Sequence, residues 1–177
     1  MSYPNAVLAW HDFYLTAGAA AATLAGLLFV GLSLHLQTVV SHPEVRSLAR
    51  VTLSNFFLVL LLALFMLLPT SQPRDTATEL IGAAAVSLAL MVRPLIEGLR
   101  SRRARTLGLG VLITRFGLSG LAYLALGAMA ALFWSGRFEL ALGGMVGVVV
   151  TLLLVAVRNT WDLLVTVADK SAAHHRG

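Results

Sequence analysis

Long apolar runs alternate with short polar connectors along this chain, without the apolar/polar alternation of membrane barrel strands. A helix rising 1.5 Å per residue needs about 20 mostly apolar residues to cross about 30 Å of hydrocarbon. Five segments fit: 16–36, 51–68, 80–96, 116–134 and 140–157. Each must be helical, because in lipid every backbone N–H and C=O has to be paired inside its own segment. The pattern predicts an all-α integral membrane protein, a single domain over 1–177 built as a bundle of five transmembrane helices. A short amphipathic helix over 158–169 is expected to follow on the inner side, with Trp161, Leu164, Val165 and Ala168 forming its apolar face.

The third segment is the shortest uncharged one, since Arg93 and Pro94 interrupt it. A short re-entrant helix competes with a full crossing there. The crossing is preferred because Arg93 lies one turn from the end, where its long stem can carry the charge to the headgroups.

Composition supports the membrane class. Of the 177 residues, 58% are hydrophobic and 12% charged, against about 45–50% and about 25% in soluble domains. The net charge of +5 does not imply nucleic acid, because the basic residues lie beside apolar spans and not on a polar surface with interleaved aromatics. They imply orientation instead. With the N-terminus outside, the inner segments hold Arg46, Arg50, Arg93, Arg100, Arg102, Arg103, Arg105, Arg115, Arg158, Lys170 and Arg176, and the outer ones only Arg74 and Arg137. Trp10, Phe13, Tyr14, Trp134 and Phe138 fall where an outer aromatic belt is expected, and Trp161 marks the inner boundary. The first fourteen residues contain no Lys or Arg, so the first span is expected to remain in place and not to be a cleaved leader.

Little in the chain suggests catalysis. There is no cysteine, which removes thiolate nucleophiles, disulfides and cysteine-ligated metals. His11, His35, His42, His174 and His175 include no i,i+4 pair and share no carboxylate motif, so no metal site is expected. No nucleophile elbow, phosphate loop or dinucleotide fingerprint occurs. The carboxylates Asp12, Glu44, Asp75, Glu79, Glu97, Glu139, Asp162 and Asp169 all fall near span ends or in connectors, which argues against proton-coupled transport. The protein is expected to be no enzyme and to need no cofactor.

Three groups of residues remain as candidates. Ser54, Asn55, Ser119 and Tyr123 are polar positions inside spans. Such groups mostly tie helices together, at about 0.6 kcal/mol per hydrogen bond on average, with lining of an aqueous path as the other reading. Arg93, Arg100, Arg102, Arg103 and Arg105 form the densest charge in the chain. They set topology, and they are candidates for holding anionic lipid headgroups, each worth about 1 kcal/mol near the surface. Last come the small residues. On a helical wheel Gly18, Ala22, Ala25, Gly26 and Ser33 share one side of the first span, with Leu24, Leu27 and Leu28 opposite; Gly120 and Gly127 recur in the fourth span, Gly143 and Gly147 in the fifth. Membrane helices associate through close backbone approach, which small residues permit. Gly18, Ala22, Gly26, Ser33, Gly120, Gly127, Gly143 and Gly147 are therefore expected at helix contacts. This many small faces suggests a homo-oligomer or a subunit of a larger membrane complex.

The stretch WHDFYLTAGAAAATLAGLLFVGLSLHL, followed by HPEVRSLA and later RNTWDLL, resembles an uncharacterised family of small multi-pass bacterial inner-membrane proteins. The resemblance implies a helical fold and a place in the bacterial cytoplasmic membrane. It brings no active residues with it.

The leading expectation is a non-enzymatic membrane protein acting by helix–helix assembly, as an accessory subunit or modulator of a membrane complex. An oligomeric channel or small-solute permease is the alternative, and an anionic-lipid-binding membrane protein a further one.

Overall fold

A computed structural model describes residues 2–68, 72–103 and 117–174, with the backbone alone described at 44, 93–95, 97–103 and 170–174. Apart from short turns the described residues are helical, with no strand among them. We number the helices α1 (Tyr3–Leu8), α2 (His11–Leu34), α3 (Leu36–Ser41), α4 (Pro43–Leu67), α5 (Pro73–Arg103), α6 (Leu118–Trp134) and α7 (Phe138–His174). Four of them, α2, α4, α5 and α7, contain segments long and apolar enough to cross a membrane; α6 is apolar but has 17 residues.

Local chemistry sets the breaks. His42 precedes Pro43 and takes an extended conformation (φ −115°, ψ 105°), as the proline ring demands of the residue before it. Pro43 then opens α4, where its missing N–H leaves no bond unmade. His42 also closes α3 through its Nδ1, which lies 3.0 Å from the Thr38 carbonyl oxygen. At the other end of the bundle α6 stops at Gly136, the one described glycine with positive φ (78°). Its N–H donates to the Phe133 carbonyl, and the Arg137 N–H donates to the Leu132 carbonyl at 2.9 Å. This left-handed closure satisfies two carbonyls that the helix end would otherwise leave bare, and turns the chain directly into α7.

The helices α4, α5, α6 and α7 form a closed ring in which each packs on the next and α7 returns to α4. Helix α2 lies outside the ring, mainly on α4, with a smaller contact to α7. The α2–α4 crossing is tight: a Cβ placed on Gly18 would come 2.8 Å from Ala63 Cβ. Ala17, Ala21 and Ala25 continue the buried face near the crossing. Further along, Leu28 and Leu32 are buried too, since two crossing helices diverge and the widening gap needs larger side chains.

Several expectations change. The buried face of α2 is rotated by roughly one residue step from the predicted small-residue stripe: Gly18 and Ala25 are buried, Ala22, Gly26 and Ser33 are exposed, and Leu28, predicted to face away, is 1% exposed. Neighbouring helix and lipid are equally apolar, so side-chain size alone does not say which face meets which. The third apolar segment, read as a crossing over 80–96, belongs to a longer continuous helix of 31 residues that starts at Pro73 and runs through Arg93 and Pro94. Likewise no break separates a 158–169 helix from the fifth span, because α7 continues for 37 residues, about 55 Å. Its extension has two apolar faces. Leu163 and Val167 are buried, with Asn159 on the same side, while Trp161, Leu164, Val165 and Ala168 are exposed. Tyr14, placed in the outer aromatic belt by its sequence position, is instead fully buried.

Gly18→Val is expected to destabilise the protein by about 1–3 kcal/mol through overpacking against Ala63. Gly26→Val, where nothing lies within 4 Å, should leave the unfolding midpoint in detergent within experimental error of the parent. Equal losses at the two positions would contradict the α2–α4 crossing.

Candidate functional site

Two arrangements stand out, one of polar groups inside the bundle and one a groove on its side. The first is a tie between α4 and α6, which face each other across the ring and share only slight backbone contact. Asn55 on α4 donates from Nδ2 to Ser119 Oγ at 2.8 Å and accepts at Oδ1 from the Tyr123 hydroxyl at 2.5 Å. All three side chains are at most 1% exposed. Ser119 and Tyr123 are four residues apart, so successive turns of α6 present both groups to a single carboxamide. Of the four polar positions singled out in the sequence, three meet here. Ser54 does not, and lies half-buried on another face of α4.

A second polar contact locks the end of the bundle where α5 begins. Tyr3 on α1 is buried, with its hydroxyl 2.5 Å from Thr76 Oγ1. Its ring meets Phe133 and Phe138 edge-on, with centroids 6.3 and 5.5 Å apart. One residue of a six-residue helix thus joins the start of α5 to the turn between α6 and α7. Polar groups are not all so served: the Tyr14 hydroxyl and Asn159 Nδ2 are buried with no hydrogen-bond partner among the described residues.

The second arrangement is a lateral groove of about 470 Å³ between α4 and α5. Phe57, Leu58, Leu61 and Phe65 supply one wall, and Gly82, Ala83, Val86 and Leu90 the other; Ser54 and Ser87 lie toward the Leu90 end. Thr78 and Glu79 line the opposite end. The Thr78 hydroxyl is already used by the Arg74 carbonyl at 3.0 Å. Glu79 is half-buried, and its Oε2 is buried with no hydrogen-bond partner among the described residues. The sequence pattern puts this carboxylate at the edge of the 80–96 span, outside its interior. It lies instead within the apolar segment Pro73–Val92. The available signal was Pro73, a residue favoured in the first turn of a helix, which moves the helix start seven residues ahead of the first long apolar run.

The other sequence candidates divide as follows. Gly18 and Gly120 are at contacts, Gly120 with Met91 Cε at 3.4 Å from an added Cβ. Gly127 is half-buried with nothing within 4 Å, and Ala22, Gly26, Ser33, Gly143 and Gly147 are exposed. Gly144, not singled out in the sequence, makes the close approach to Met129 on α6. Arg93, Arg100, Arg102 and Arg103 lie on the far end of α5, and Arg105 lies outside the described residues.

Asn55→Ala would leave Ser119 and Tyr123 buried without their partner, at a cost of about 1–3 kcal/mol. In a Tyr123→Phe background the same change should cost clearly less, because the two residues share one network. Tyr14→Phe removes an unpartnered hydroxyl and is expected to be neutral or stabilising. Unfolding of the purified variants in detergent measures all three. No family model, curated protein or solved structure matches the chain.

Proposed function

We propose that this chain is a non-enzymatic protein of the bacterial inner membrane that crosses it five times, N-terminus outside. It acts by helix–helix assembly, as an accessory subunit or modulator of a membrane complex. The observation that carries this reading is the exposure of Ala22, Gly26, Ser33, Gly143 and Gly147 on a chain whose core is closed without them. An added Cβ on Gly26, Gly143 or Gly147 would meet nothing within 4 Å. Lipid gains little from such flat surfaces, whereas another helix can approach them closely. The hydroxyls of Thr23 and Ser33 are turned back onto the Ala19 and Phe29 carbonyls, so this face of α2 presents no unmet polar group.

Five crossings are supported by the course of α6. Gly120 at its start lies by Met91 late in α5, and Phe133 at its end shares Tyr3 with Thr76 early in α5. The 17 residues of α6 therefore run antiparallel to α5 over most of the apolar depth. The excess of Arg on the inner connectors supports the orientation. The channel alternative is weakened, because Asn55, Ser119 and Tyr123 are buried and their polar groups are turned onto one another.

Gly26→Leu and Gly147→Leu together are expected to keep the parent's unfolding midpoint while abolishing stoichiometric copurification and cross-linking with a membrane partner. A wild-type chain that stays a lone species in native membranes would overturn the assembly reading. Orientation has its own test, made clean by the absence of cysteine. Ser135→Cys should react with an impermeant thiol reagent from outside the cell, and Ala172→Cys only after lysis.

A further inference from the structure

We propose that the α4–α5 groove is a seat for one acyl chain of an ammonium-bearing phospholipid, of the phosphatidylethanolamine type, whose headgroup amine is held by Glu79. The proposal rests on the chain being in a membrane and does not depend on what it assembles with.

The dimensions suit a lipid tail. From Thr78 to Leu90 the groove follows twelve residues of α5, about 18 Å. One leaflet of hydrocarbon is about 15 Å deep, half the bilayer core. The groove is thus about as long as one leaflet is deep, with Glu79 toward the start of the apolar segment Pro73–Val92 and Leu90 near its other end. Its volume of about 470 Å³ falls in the range of specific ligand sites, and its walls are aliphatic and aromatic. Gly82 keeps it wide: the residue is exposed, lines the groove, and has no atom within 4 Å of an added Cβ.

Chemistry at the mouth selects the headgroup. A carboxylate oxygen that is buried without a donor is costly in an apolar wall. No described side chain or backbone N–H serves Glu79 Oε2. A primary ammonium supplies three N–H donors and the opposite charge. An anionic headgroup without an amine supplies neither, and would meet both Glu79 and Asp75, one turn before it. Arg74 and Asp75 are exposed in the first turn of α5, so this end carries charges of both signs. That matches a zwitterion, with phosphate toward Arg74 and amine toward Glu79, better than a simple cation.

The full-length protein, reconstituted in vesicles of equal parts dioleoyl-phosphatidylethanolamine, its N-acetylated derivative and dioleoyl-phosphatidylglycerol, can be extracted in mild detergent. Native mass spectrometry then reads the lipid retained per chain. One phosphatidylethanolamine per chain is expected, retained about five-fold over either other lipid. Glu79→Gln should bring that ratio to near one, and Gly82→Leu should lower retention of all three lipids by filling the groove. The N-acetylated lipid has the same tails and phosphate but no ammonium, so the wild-type comparison holds even if a variant fails to fold. Equal retention of the three lipids by the wild type would overturn the proposal, as would an undiminished preference in a folded Glu79→Gln variant.

Discussion

The cost of leaving a polar group unpaired in a dry interior bears on this bundle most strongly at Asn55. A carboxamide buried without partners would cost several kcal/mol in hydrocarbon. Here its nitrogen and oxygen are met by Ser119 and Tyr123 from a helix that is not its neighbour. The ring of α4, α5, α6 and α7 is held by side-to-side packing, which lipid-like side chains could achieve in several rotations. A directional tie across the diagonal selects one of them. Tyr3 does similar work at one end, where a single hydroxyl and two edge-on rings fix the start of α5 against the turn that follows α6.

Small residues play two parts that differ only in what lies opposite. Gly18 lets α2 meet Ala63 at close range, and Gly144 makes room for Met129. Gly26, Gly143 and Gly147 are equally small, yet an added Cβ would meet no atom of the described residues within 4 Å. Since lipid and helix do not differ in polarity, no burial rule of the soluble kind separates these two sets. The same reasoning covers α7, whose extension buries Leu163 and Val167 while Trp161 and Leu164 remain outside.

Glu79 illustrates how a helix start changes a residue's meaning. Counted from the first long apolar run, it is a carboxylate at the edge of a span. Counted from Pro73, it stands almost two turns into a helix and on the wall of a groove built mainly of apolar side chains. The difference is a few residues of boundary, and it moves an ionisable group from the edge of a span into the apolar segment Pro73–Val92.

Composition and run length determined on their own that this is a helical membrane protein, because a bilayer allows few ways to satisfy a backbone and all of them demand long apolar segments. The positions of Asn55, Ser119 and Tyr123 were legible as polar sites, but their pairing was not, since Asn55 is more than sixty residues from both partners and joined only across the ring. Tertiary structure alone decided which face of α2 is buried, that Tyr3 and Tyr14 lie inside, that α5 and α7 run on as unbroken helices, and that Glu79 looks into a groove. The reason is physical. Hydropathy records how deep a residue can sit in a membrane, while rotation about a helix axis and the choice of neighbour are set by the shapes of side chains that only folding brings together.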